Sequence, residues 1–173
     1  MTAPILITER LTLRPPQEAD FEAFAAFCAS ERSKWVGGPS DRDKARTIFN
    51  GYLADLASGH PSYLHIVLSE TGVVIGRAGI RRADQPPEPE IAYSLYADQH
   101  EGHGYATEAA TAVRDWAYDT LGLHTVVSYI EPENAASQAV ASRIGARPDT
   151  NAPRWDKHPN LIIYRHRAPE ERS

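Results

Sequence analysis

The sequence predicts an α+β domain on a mixed sheet, and three observations carry that expectation. Two apolar runs, near Tyr63–Leu68 and Val73–Ile80, flank a Glu70-Thr71-Gly72 turn and read as a β-hairpin. From Glu90 onward the chain alternates strand, helix, strand and helix, which places helices on a mixed sheet. The length of 173 residues fits one domain over 1–173, with a tail that looks frayed from about 167.

Each element has a local cause. Ile5, Ile7, Leu11 and Leu13 alternate with polar residues, which predicts an opening strand that Pro15 and Pro16 stop. Phe21, Phe24, Ala25 and Cys28 recur at helical spacing after Glu18. Ser40 with Asp43 three residues on has the form of a capping box, and Ala45, Ile48, Phe49, Tyr52, Leu53 and Leu56 continue an amphipathic helix. Asp84–Pro89 holds three prolines and reads as a loop, and Glu90–Tyr96 as the strand after it. Ala106, Ala109, Ala110, Val113, Trp116, Ala117 and Leu121 form a helical stripe ended by Gly122, and His124–Ile130 is rich in strand formers. A helix from about Asn134 to Ile144 stops at Gly145; Arg147–Asn160 is a polar loop containing Trp155, and Leu161–Tyr164 a last strand.

Composition excludes several classes of function. Apolar residues make up 42% and charged residues 24%, ordinary values for a globular chain. The formal net charge of −5 argues against a dedicated nucleic-acid binder, which needs a basic face. A single cysteine, Cys28, rules out an intrachain disulfide and a cysteine-based zinc site. His100 and His103 lack an obvious third ligand, so no metal is expected. No apolar run approaches the ~18 residues of a membrane span, and Met1 to Arg10 lacks a signal-peptide pattern. The expectation is a cytoplasmic protein, monomeric or homodimeric, with no membrane partner.

The segment Asp98 to Ala109 carries most of the functional information. A strand ends, Gly102 and Gly104 follow at one-residue spacing, and a long helix begins at once. Such glycines let backbone N–H groups converge on one point, where the helix dipole adds about half a positive charge. That arrangement suits a phosphate or pyrophosphate, though a plain tight strand-to-helix turn has the same spacing. A Walker loop would end Gly-Lys-Ser/Thr, and a dinucleotide fingerprint from Gly102 would need Gly or Ala at Thr107; both are absent.

Glu101-Gly102-His103-Gly104-Tyr105-Ala106-Thr107-Glu108-Ala109 resembles the acetyl-CoA signature of the GNAT N-acetyltransferase superfamily, whose loop reads Gln/Arg-x-x-Gly-x-Gly/Ala. It is most similar to the branch of the ribosomal-protein N-terminal acetyltransferases. Thr8 to Pro15 resembles that branch's opening strand, Glu90-Ile91-Ala92-Tyr93-Ser94-Leu95 its pre-loop strand, and Asn134-Ala135-Ala136-Ser137 with Ile144-Gly145-Ala146 its later signature. The resemblance covers about residues 8–146. It implies a mostly antiparallel central sheet of about six to seven strands with helices on both faces. It also implies direct transfer of acetyl from acetyl-CoA to a primary amine, either a protein N-terminus or a small molecule. The chain departs from the pattern at Glu101, which stands at the Gln/Arg position, at Ala92 for Gly, and at Ala141 where many relatives carry a tyrosine acid.

By that resemblance, Gly102, His103, Gly104, Tyr105 and Ala106 hold the cofactor's phosphates, and Leu95 and Tyr96 present backbone N–H groups to the thioester. Asn134 faces the pantetheine arm or the acceptor, and Ser137 the departing sulfur; Ser137 is also an ordinary third residue of a helix capped by Asn134. Glu90 is the candidate base, directly or through water, or else a solvated strand-end glutamate; Asp149 and Asp156 are its backups. Trp35 and Tyr93 are the expected walls of the acceptor pocket. Two rival functions stand beside this one: a non-catalytic acyl-CoA-binding module and an unrelated nucleotide-phosphate binder.

Overall fold

A computed structural model describes residues 4–81 and 86–171. Among them an eight-stranded sheet runs in the order β1-β2-β3-β4-β5-β6-β8-β7. The strands are β1 (Leu6–Ile7), β2 (Leu11–Arg14), β3 (Tyr63–Leu68), β4 (Val74–Arg81), β5 (Glu90–Leu95), β6 (Val127–Ile130), β7 (Arg147–Pro148) and β8 (Ile162–Arg165). Neighbours pair antiparallel except β5 and β6, which run parallel. The helices are α1 (Phe21–Ala29), α2 (Arg42–Ala57), α3 (Tyr105–Asp115) and α4 (Ala135–Arg143).

Strand periodicity sorts the helices onto two faces. Leu64, Ile66, Ala78, Ile80 and Ile91 point to one side and pack with Ala109, Val113 and Trp116 of the α3 region. Phe21, Phe24, Phe27 and Phe49 from α1 and α2 gather with Tyr96 on the other. There Asp20 is buried, and it accepts from Arg14 at 2.7 and 2.9 Å and meets His65 Nδ1 at 3.1 Å. His65 Nε2 in turn lies 3.2 Å from the Tyr96 hydroxyl, so this polar chain is internally satisfied.

The strand count exceeds the six to seven expected because two-residue ladders give no periodic signal. The opening strand divides at Thr8, whose N–H donates to the Leu11 carbonyl and whose hydroxyl oxygen accepts from Leu11 N–H, turning β1 back on β2. Arg147–Pro148 pairs with β8 inside what reads as a loop. The cap of α2 is Asp41 rather than Ser40: its carboxylate accepts from Lys44 N–H at 2.8 Å, while Ser40 N–H goes to the Cys28 carbonyl. The stripe from Ala106 ends its regular helix at Asp115 and continues as a π turn over Trp116–Thr120. Part of the proline loop at 84–89 lies outside the described residues, as do the last two positions of the tail.

Candidate active site

The parallel pair β5–β6 is where the sheet opens. Its ladder holds at one register position, Glu90 opposite Val127. Val127 N–H donates to the Pro89 carbonyl at 3.0 Å, and the Ser128 hydroxyl to the Ile91 carbonyl at 2.7 Å. Ser128 Oγ also lies 2.8 Å from His166 Nε2. Because that hydroxyl already donates, His166 carries its proton on Nε2, and burial pushes its pKa down to about 3. Beyond this buried clasp the strands part, and a cleft of about 1360 Å³ opens along them.

Antiparallel alternation fixes which backbone groups look into the gap. Tyr96 N–H donates to the Ile75 carbonyl at 2.8 Å, so it faces β4. Leu95, one residue earlier, turns its N–H and carbonyl the other way, towards the parting of β5 and β6. Tyr96 N–H is therefore engaged in the sheet and unavailable to an oxyanion, a correction to the expected pair. Leu95 alone of the two presents an N–H there.

At the C-terminal end of β5 the chain enters the glycine loop. Gly102 and Gly104 have φ of +75° and +81°, backbone that only glycine adopts without strain. A Cβ on Gly102 would meet nothing within 4 Å, and one on Gly104 only Arg10 Nη2 at 3.4 Å, so the cradle is open. No side chain caps α3. Its first-turn carboxylate, Glu108, is instead turned aside by the Thr8 hydroxyl at 2.6 Å and by Arg10 N–H and Nε at 2.8 Å each. The N–H groups at the start of α3 thus face the cleft with the dipole behind them, a fit for phosphate.

Glu101 does not oppose that charge. Its carboxylate accepts from Arg32 Nη2 at 2.7 Å, and Arg32 also reaches Asp98 and, at 3.3 Å, the Leu95 carbonyl. Arg32 brings a guanidinium to the loop from the segment after α1. Among the described residues six Arg or Lys side chains line the cleft against four carboxylates, although the chain as a whole is acidic.

At the closed end stands Glu90, 4% exposed. Burial pushes its pKa up to about 7, against the pull of the Arg81 guanidinium 3.4 Å away, a Tyr129 backbone hydrogen bond and Arg77. Glu88 leaves it alone: that carboxylate is held on both oxygens by Arg165, at 2.9 and 3.0 Å. A carboxyl that titrates near neutrality inside a cleft is equipped to take a proton.

The acetyltransferase (GNAT) domain profile matches residues 10–147. The chain belongs to the GNAT acetyltransferase family. An N-acetyltransferase of Bacillus licheniformis, p20, is 32% identical over 137 residues, 76% of each chain. The crystal structure of an acetyltransferase from Agrobacterium tumefaciens superposes with a TM-score of 0.87 at 48% identity, covering 96% of both chains. Mycobacterium smegmatis RimJ, solved in complex with CoA-disulfide, shares the fold at 19% identity, with a TM-score of 0.78 over 99% of this chain and 90% of that one.

This acetyltransferase is therefore an acyltransferase enzyme that uses acetyl-CoA, and its expected site residues can be placed. Glu90, Leu95, Gly102, Gly104, Tyr105, Ala106, Asn134, Ser137 and Trp35 all line the cleft. Asn134 caps α4 through its side chain, 3.2 Å from Ser137 N–H. His103 falls outside the lining: its ring stacks on Tyr105 at 5.5 Å, and its carbonyl accepts from Arg10 at 2.9 Å. Tyr93 lies on the opposite face of β5 from Glu90, where its hydroxyl donates to the Ser137 carbonyl at 2.8 Å. It lines the same cleft, but from the α3–α4 side rather than beside Glu90.

Neither backup base reaches the cleft. Asp149 is held by Arg165 Nε at 2.6 Å, which keeps its carboxyl below the usual range, and Asp156 is exposed on the loop. Ala141 is buried with Ile130 and Tyr164, so α4 offers no tyrosine hydroxyl at that position. Sequence reasoning missed Arg32, Arg77 and Arg81 as lining groups. For Arg77 a signal existed, since a charge in the middle of the apolar β4 run demands a reason.

Proposed function

We propose that this acetyltransferase moves acetyl from acetyl-CoA to a primary amine that arrives on the α1–α2 face of the sheet, where Glu90 takes its proton. The buried, near-neutral Glu90 at the closed end of the cleft is the observation that carries the reading. Glu90 accepts a proton from the ammonium, leaving a nitrogen lone pair free to attack the thioester carbonyl carbon. Leu95 N–H, which faces the parting of β5 and β6, then stabilises the oxygen as charge develops on it. The C–S bond breaks as the C–N bond is completed. The second nitrogen proton then goes to the departing sulfur, with the Ser137 hydroxyl orienting that transfer through water.

Calorimetric titration with acetyl-CoA, with CoA and ATP as comparators, tests the cofactor half. Saturation near one per chain with ATP weak is expected, and no binding by folded protein would remove the reading. Thiol release with a panel of primary amines tests the transfer half. Ser137→Ala should lower kcat by roughly tenfold or less, the range of a single neutral hydrogen bond. A loss beyond about a hundredfold in stopped assays would instead make Ser137 an obligatory proton donor.

A further inference from the structure

Among the described residues Arg77 is a buried charge that the fold alone does not explain. It stands mid-strand in β4, opposite Ser94 of β5, on the Glu90 face of the sheet, and it is only 5% exposed. Aromatic rings surround its guanidinium, Tyr63 at 4.5 Å, Phe24 and Tyr52 at 5.5 Å and Phe27 at 5.7 Å. Its Nη1 donates to the Tyr52 hydroxyl, while its buried Nε has no hydrogen-bond partner. Among the described residues no carboxylate pairs with it.

Other guanidiniums of this chain that leave water find acids. Arg14 has Asp20, Arg165 has Glu88 and Asp149, and Arg81 has Glu90. Arginine stays charged at any ordinary pH, and a buried charge without a counter-charge is strongly unfavourable. Cation–π contacts, the Tyr52 hydroxyl and the longer-range pull of Glu90 offset part of that cost but leave Nε unpartnered and, among the described residues, no acid at ion-pair distance. Arg77, Ser94 and the rings of Tyr52 and Tyr63 all line the cleft that holds Glu90.

We propose that Arg77 anchors an acid group on the acceptor, so that the substrate is a small amine that also bears a carboxylate or a phosphate. The inference rests on the amine-acetylation reading above and narrows it. Both groups accept the guanidinium fork on two oxygens, and the aromatic rings exclude the water that would weaken the pair. Along β4, Arg77 and the Glu90 partner Arg81 are four residues apart, roughly 13 Å between Cα atoms, so acid and amine are received at separate stations on one face. Burial of the guanidinium favours a small ligand that inserts over a protein chain that lies across the opening.

Matched acceptors test this, with acetyl-CoA saturating and its binding confirmed first by calorimetry, so that failure of the cofactor reading is seen separately. The pairs are amino acids against the same amines lacking the carboxylate, phosphoethanolamine against ethanolamine, and a neutral-side-chain peptide. Wild-type kcat/KM should favour the acid-bearing member by roughly 10–100-fold, the range of a lost charge-assisted bond. The better of the amino-acid and phosphate pairs identifies the acid. In Arg77→Met the preference should collapse to about one through KM, with acetyl-CoA affinity held. Equal use of both members, preference for the peptide, refusal of every acid-bearing amine, or an undiminished preference in folded Arg77→Met would each overturn the proposal. Should that variant not fold, inhibition of the wild type by succinate or inorganic phosphate, competitive with the amine, replaces it; noncompetitive or absent inhibition is the adverse result.

Discussion

Replacing Glu90 by glutamine is expected to lower kcat by roughly 10²–10⁴-fold while leaving the acetyl-CoA dissociation constant within about twofold. Glutamine keeps the shape at the closed end of the cleft but accepts no proton. The wild-type pH profile gives an independent reading. Because the carboxyl must be ionised to act, kcat/KM should rise with pH, reach half its plateau near the pKa of about 7, and flatten above it. The same shift has a cost in stability. A carboxyl raised from 4.5 to about 7 favours the folded state while protonated and loses that advantage as pH climbs through 7, a difference of roughly 3 kcal/mol. Thermal melts at pH 8.5 should therefore find Glu90→Gln more stable than wild type, with the gap closing towards pH 4.5. Full activity in the variant, or a profile flat from pH 5.5 to 8.5, would take the base assignment away from Glu90.

The glycine loop predicts the second large effect. Gly104→Val places a β-branched side chain at φ +81°, beside Arg10 and over the start of α3. Several N–H groups would lose their phosphate, and at about 1.5–3 kcal/mol for each charge-assisted bond the acetyl-CoA affinity should fall by ~10²–10³-fold. Backbone strain alone would produce a folding defect instead, so Gly104→Asn provides the separation. Asparagine tolerates the left-handed region, and its side chain still enters the cradle. A folded Gly104→Asn protein with wild-type acetyl-CoA affinity in calorimetry would refute the phosphate assignment.

Much of this architecture was legible because its signals are periodic. Tyr63–Leu68 and the helix after Gly104 carry apolar stripes long enough to read, and glycine spacing marked the turn before α3. Glu90 was visible as the acid that opens a strand. Its burial was not, since that depends on Trp155, Tyr129 and Arg81 arriving from distant segments to close the same end of the cleft.

What was missed shares one physical origin. Glu90 and Tyr93 line the cleft from opposite faces of β5, and which face meets α1 and α2 is set by pairing that the sequence does not show. Arg32 lies in a 3₁₀ segment, Glu31–Val36, with no sequence link to Glu101, yet the two meet across the loop. Arg77 gave a local hint, but its lack of an acid is a statement about every neighbouring element. Short ladders such as Leu6–Ile7 and Arg147–Pro148 fall below any period.

The turn between β1 and β2 reaches across to the glycine loop. Thr8 and Arg10 hold Glu108, and Arg10 also grips the His103 carbonyl and stacks 4.7 Å over Tyr105. The first strands of the chain are thus a brace for the glycine loop some ninety residues downstream. Loosening this turn, as in Thr8→Val, would act on binding at the glycine loop, whereas loss of Leu11 or Leu13, both fully buried, would act on the core itself.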